Sequence, residues 1–231
     1  MKEYILNIET STNVCSASIT SGPDNLVSRE SIEGPSHSSL LTVFVGEIME
    51  EAALDYASLS AVSVSMGPGS YTGLRIGVSA AKGICYAAGL PLIAINTLDL
   101  MTEMALSSGY IENGGLLCPM IDARRLEVYT ALFNAEGKQL TDVRAEIITE
   151  ETFREFDSNE KLWLFGNGAG KCMNIINYPN IMFIPEIYPS ASKMGRLSYR
   201  AFTEGKFESI AYFNPFYLKD FIATTPRNKI L

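Results

Sequence analysis

Metal-assisted transfer or hydrolysis at a zinc or iron centre needs about three protein ligands, commonly with two histidines one helical turn apart. This sequence has one histidine, His37, in Gly34-Pro35-Ser36-His37-Ser38. Its four cysteines, Cys15, Cys85, Cys118 and Cys172, include no Cys-x-x-Cys pair. No metal site and no catalytic residue is therefore assigned, although an all-carboxylate magnesium site completed by substrate phosphates stays open. His37 reads as a loop or helix-start residue, because a histidine base needs an identifiable partner. The cysteines read as reduced core residues rather than a disulfide framework. A serine hydrolase is not supported either: Gly69-Ser70-Tyr71 lacks the second glycine of a nucleophile elbow.

Gly67-Pro68-Gly69-Ser70-Tyr71-Thr72-Gly73 joins a strand to a helix start. Free amides and the helix dipole there favour an anion, so Gly67, Gly69 and Ser70, with the Glu9-Thr10-Ser11 turn, form a candidate nucleotide or phosphate site. A plain structural turn accounts for them equally well. No Gly-Lys-Ser/Thr follows, so this is not a Walker loop. Gly166-Asn167-Gly168-Ala169-Gly170 is a second glycine loop between a strand and an expected helix, by default a turn, or else a place where backbone approaches a nucleotide. Asp122-Ala123-Arg124-Arg125 places opposite charges on a tight turn, which an Asp122–Arg124 ion pair would fix.

Two helices carry more apolar surface than one sheet contact requires. Gly73, Gly77 and Ala81 recur every four residues, with Leu74 and Val78 beside them. The preceding helix offers Leu41, Phe44, Val45 and Ile48. Small residues at this spacing let helices approach closely. The stripe closes either against the chain's own core or against another subunit. The surplus on two adjacent helices favours a partner interface at Leu41, Phe44, Val45, Ile48, Gly73, Leu74, Gly77 and Ala81.

The elements that must position these residues follow from periodicity. Strands are expected over 4–8, 14–19 and 26–32, a helix capped by Ser38 or Ser39 to about Ala53, a strand over 61–66 and a helix over 72–88. A strand over 92–95 and a helix capped by Thr97 complete an N-terminal lobe, 1–108. In the C-terminal lobe, 109–231, strands are expected over 116–121, 127–133, 138–148 and 162–165. Helices are expected near 152–156, after the glycine loop, and from Ser190 or Ser192 to about Thr203, with the last segment able to pack back on the first lobe. Hairpins followed by alternating helix and strand in both halves define an α/β class with mixed sheets.

Composition narrows the function classes. Apolar residues make up 47% and charged residues 19%, ordinary for a globular chain. The net charge of −8, with basic residues dispersed along the sequence, argues against tight direct binding of RNA by this chain alone. No signal peptide or membrane anchor is read at the start, and a cytoplasmic location is expected.

Several blocks together resemble a known family. They are Ile8-Glu9-Thr10-Ser11, the run Gly67 to Gly77, Ile121-Asp122-Ala123-Arg124, Glu127-Val128-Tyr129 and Pro215-Phe216-Tyr217-Leu218-Lys219. In order and over nearly the whole chain they resemble the TsaB family, bacterial subunits of tRNA threonylcarbamoyladenosine biosynthesis once grouped with glycoproteases. The resemblance implies an actin/sugar-kinase-like (ASKHA) fold of two lobes. It implies a non-catalytic subunit that pairs through its N-terminal lobe helices with TsaD, the homologue carrying the metal-binding histidines, and works with the ATPase TsaE. The tRNA, modified at adenosine 37, is reached through the complex, and the isolated chain is able to self-pair as a homodimer. No cofactor is assigned to the chain; ATP or ADP with magnesium is expected only in the complex. Two departures stand out: Glu9 where the family has Asp, and Lys219 where it has Arg, which loses bidentate pairing. A stand-alone ATPase or phosphotransferase of the same fold is the competing reading.

Overall fold

The computed structural model describes residues 2–32, 37–112, 114–156, 160–184 and 187–219. The chain opens with β1 (Tyr4–Glu9), β2 (Cys15–Ser21) and β3 (Asp24–Ser31), continues through α1 (His37–Glu51), β4 (Ala61–Gly67), α2 (Tyr71–Ala88) and β5 (Leu92–Asn96), and reaches α3 (Thr97–Ser107). The five strands form one sheet in the order β3-β2-β1-β4-β5. β1 alternates sides as a pleated strand must. Leu6 and Ile8 join Leu41, Val45 and Ile48 of α1 and Val78 and Ala81 of α2 in one core. Ile5 points to the other side, where it meets Ile93, Ile95 and Leu197.

The second half comprises β6 (Leu116–Asp122), β7 (Glu127–Thr130), β8 (Arg144–Ile147), β9 (Leu162–Phe165) and β10 (Ile181–Ile184), then α4 (Gly195–Thr203). Its sheet has the order β10-β9-β6-β7-β8. Read from the other edge this repeats the first sheet. In each, the first strand pairs antiparallel with the second and parallel with the fourth. α3 lies between the halves: Leu98, Met101 and Ala105 pack with Leu117, Ile121 and Phe165 of the second sheet, while Leu100 packs with Ile93 and Ile95 of the first.

After β10 the chain returns to the first sheet. The Ala191 amide donates to Ser16 Oγ (2.9 Å) and Ser18 Oγ donates to the Ala191 carbonyl (2.7 Å). α4 then covers the sheet face opposite α1 and α2. Further on, the Glu208 amide donates to the Leu92 carbonyl (2.8 Å) and the Phe216 amide to the Met66 carbonyl (2.7 Å).

Several expectations change. The cap of α3 is Asn96, whose side chain accepts from the Leu98 amide, one residue before the expected Thr97. The helix expected near 152–156 is a single 3-10 turn, Arg154–Phe156. The one expected after the glycine loop is a run of turns, because Gly166, Gly168 and Gly170 weaken helix propensity. Gly168 also sits where a Cβ would meet the Ile121 carbonyl carbon at 3.0 Å. The strand expected over 138–148 shrinks to Arg144–Ile147. β10 is a four-residue apolar run whose periodicity alone gave no strand.

Candidate functional site

The blocks singled out in the sequence converge at the N-terminal end of α2. The turn after β1 lies directly on this helix. The Ser70 amide donates to the Ser11 carbonyl at 2.7 Å, and Thr10 Oγ1 donates to the Gly73 carbonyl at 2.8 Å. A Cβ at Gly69 would lie 2.3 Å from the Ser11 carbonyl oxygen, one at Gly73 2.1 Å from that of Thr10, and one at Gly77 2.2 Å from Thr10 Oγ1. The glycine stripe is therefore the seat of the chain's own turn, and each missing Cβ is needed for it.

This corrects the interface assignment. Leu41, Val45, Ile48, Gly73, Leu74, Gly77 and Ala81 are all buried within the chain, and only Phe44 of the eight is half-buried. The outward surface of the two helices includes Val43 and Gly46 on α1 and Ser79, Gly83 and Tyr86 on α2, with Ile76 and Ala80 half-buried beside them, and also carries charged residues such as Glu47, Glu50 and Arg75. The periodicity found the inward side of these helices, because apolar spacing marks core before it marks a docking face.

The candidate phosphate site is corrected for the same reason. Glu9, Thr10 and Ser11 are brought to Gly67, Gly69 and Ser70, as expected, but all three are fully buried. Three amides at this end of the helix are used internally. Ser70 N–H is held by Ser11, Gly73 N–H donates to Ser70 Oγ at 3.3 Å, and Leu74 N–H donates to the Ser70 carbonyl at 2.8 Å. Gly67, at φ 115°, passes under the Phe216 carbonyl, which a Cβ would meet at 2.7 Å.

Glu9 itself has an unusual environment for a carboxylate. Oε1 accepts from the Ser11 amide at 2.5 Å, while Oε2 and the hydroxyls of Ser11, Ser63 and Ser65 are buried without a hydrogen bond of good geometry. Burial pushes its pKa up, nearby Ser11 and Ser65 pull it partly back, and Glu30 adds a small upward push. Burial thus shifts the carboxyl toward its protonated form, which has a donor that the carboxylate lacks.

The remaining candidates are structural. His37, the first residue of α1, is buried with Nε2 3.2 Å from the Val14 carbonyl. All four cysteines are free and buried, with thiols pushed up to about 11 or 12. The expected Asp122–Arg124 ion pair is corrected: Asp122 Oδ1 accepts from the Arg124 backbone amide (2.7 Å) and pairs with Lys171 Nζ (2.5 Å). The glycine loop packs on the end of β6, where Asn167 Oδ1 accepts from the Asp122 amide at 3.0 Å. Lys219 pairs with Glu127. Sequence reading missed Arg75, Tyr71 and Tyr217. Arg75 lies 4.3 Å over the Tyr71 ring and that ring 4.7 Å from Tyr217. Among the described residues no group of three or more His, Cys, Asp or Glu could hold a metal ion, and no helix is long and apolar enough to cross a membrane.

Two sheets of identical strand order, joined by α3, define a two-lobed α/β protein of the actin/sugar-kinase-like (ASKHA) class. The family model described as TsaD, tRNA N6-adenosine threonylcarbamoyltransferase, matches residues 31–167, more than half the chain, and the chain belongs to that family. Along its full length it is similar to the tRNA threonylcarbamoyladenosine biosynthesis protein TsaB of Escherichia coli K12, 26% identical over 95% of this chain and 96% of that protein. TsaB of Bacillus subtilis 168 is 34% identical over 46% of this chain and 44% of that protein. Among solved structures, YeaZ from Pseudomonas aeruginosa superimposes with a TM-score of 0.79 at 23% identity, covering 94% of this chain and all of that one, a likeness of fold. The sequence resemblance to TsaB thus holds.

Two measurements check this site. Gly73→Ala, normally favourable within a helix, should destabilise the chain by about 3 kcal/mol, read from urea denaturation, because the new Cβ meets backbone that cannot withdraw. For Glu9, a folded pKa above its ordinary value of 4.5 means the native state binds the proton more tightly. Stability is therefore fully present in acid and declines as pH rises from about the unfolded value through the folded one. Glu9→Gln should match the parent in Tm at acid pH and exceed it at pH 8; a parallel pH dependence for both would show an ordinary carboxylate.

Proposed function

We propose that the chain is the TsaB-type partner subunit of a tRNA threonylcarbamoyl-transfer complex, supporting a TsaD-like catalytic subunit in forming threonylcarbamoyladenosine at tRNA position 37. In this reading it performs no catalysis itself, and a TsaE-like ATPase completes the assembly. The observation that carries it is the fate of His37. A chain in a transferase family has a single imidazole and commits it, buried, to the Val14 carbonyl, so the chemistry falls to the partner.

The outward side of α1 and α2 is the docking face this reading requires. Tyr86 is 84% exposed and Val43 49%. Gly46 and Gly83 occupy helix interiors although, their chain neighbours and the backbone of their own helix aside, no atom lies within 4 Å of the place a Cβ would take. A glycine there costs about 1 kcal/mol relative to alanine, and nothing inside the chain requires it. Close approach of another helix accounts for both.

Gly83→Ala should stabilise the free chain by about 1 kcal/mol, the opposite sign to Gly73→Ala. Gly83→Trp should leave folding intact and weaken co-purification with a TsaD-like subunit by about tenfold or more, with threonylcarbamoyladenosine formation falling in the reconstituted system. Unchanged association by a folded Gly83→Trp chain would remove this face from the interface. Recovery of only a second copy of the chain would make the face a homodimer contact instead.

A further inference from the structure

Folding gathers a set of cations that the sequence disperses. Lys219 pairs with Glu127 and lies 5.9 Å from the Tyr129 ring. Tyr129 and Tyr71 share the lining of one small cleft with Tyr217 and Lys219. Arg75 stacks on Tyr71, and its Nε donates to the Tyr217 hydroxyl at 3.4 Å. On the opposite rim, Lys171 Nζ donates to the Arg125 carbonyl at 2.9 Å and pairs with Asp122. Arg75, Arg124, Arg125, Lys171 and Lys219 are thus five of the chain's 18 basic residues, and among the described residues their carboxylate partners are Asp122 and Glu127. The remaining 13 basic residues of the chain stand against 24 acidic ones.

Two features separate this rim from an ordinary solvated face. Arg124 and Arg125 both have positive φ, 72° and 52°, a conformation that is costly for consecutive side-chain-bearing residues and concentrates at functional sites. Both are exposed, and among the described residues neither guanidinium has a carboxylate partner. Beside them Tyr71, Tyr129 and Tyr217 present aromatic rings next to cations, a combination that suits unpaired bases and the phosphates joining them.

We propose that this rim, from Arg75 and Tyr217 across Lys219 to Arg124 and Arg125, is a direct contact surface for the phosphate backbone of the tRNA substrate. It rests on the function proposed above and deepens it. The net charge of −8 excludes strong binding by the chain at large; it does not exclude a local positive strip within a complex that supplies most of the affinity. The acidic remainder of the surface would repel RNA laid elsewhere and so fix its orientation.

The test measures anisotropy of an unmodified, labelled tRNA transcript with the full chain in complex with its co-purified catalytic subunit, at salt concentrations from about 50 to 200 mM. Arg124→Asn with Arg125→Asn keeps residues that tolerate the left-handed conformation. This double variant should weaken binding by about tenfold and make the salt dependence shallower by about two phosphate contacts, while subunit association stays unchanged. Lys138→Asn with Lys193→Asn, which removes the same charge elsewhere, should do neither. Equal affinity and salt slope for the Arg124/Arg125 variant and the parent would overturn the proposal, as would an equal loss in the Lys138/Lys193 control. If no catalytic subunit co-purifies, the function reading fails by itself, and the same titration on the free chain, with the same two outcomes, still decides the RNA contact.

Discussion

The contact on which the rest depends is the seating of the Thr10–Ser11 backbone on the glycine face of α2. The Ser70 amide donating to the Ser11 carbonyl and the Thr10 hydroxyl donating to the Gly73 carbonyl bring two backbones closer than any side chain allows. Three glycines at four-residue spacing make that approach feasible. The joint locks the first strand to the second helix and fixes the end of the first sheet. It also occupies the Ser70 amide, while Ser70 Oγ takes the Gly73 amide. The N-terminal end of α2 is thereby covered by the chain's own turn.

Consequences run outward from that closed joint. With the inner face of α2 committed, the features without an internal explanation lie on its outer face: Gly83, Ser79 and the exposed Tyr86. With Glu9 sealed beneath the turn, burial shifts its carboxyl toward the protonated form, and among the described residues its Oε2 has no hydrogen-bond partner. The C-terminal segment then crosses the joint, Phe216 over Gly67 and Tyr217 against Tyr71, before Lys219 reaches Glu127 in the second sheet. Both lobes therefore contribute to one rim, and chemistry-bearing side chains collect at the surface, away from any enclosed cleft.

Much of this was legible in residue order. Strand patterns such as the one over residues 4–8 and helical spacing over residues 72–88 gave the elements of the first lobe to within about two residues, because local propensity and tertiary packing agree there. The second lobe was less legible: its glycine loop is spent on packing against β6, and β10 is too short for its period to register. Apolar spacing could find the α1–α2 pair, yet it could not say which side faces the sheet, since Leu41 and Val43 differ only in where the turn of the helix points them. The cationic rim left a trace only at the charged Asp122–Arg125 turn. Arg75 reaches Tyr217 only because the chain returns to the first lobe after completing the second.

The account's central claim concerns the joint, so the most direct measurement is amide hydrogen exchange at Ser70 and Gly73 in the pure chain, with and without ATP and magnesium. A closed joint predicts that both amides exchange only through global unfolding, with protection unchanged by nucleotide. Rapid exchange in the free chain, or protection that appears only when nucleotide is added, would mean that the helix end is open to a ligand and that the turn does not hold it shut.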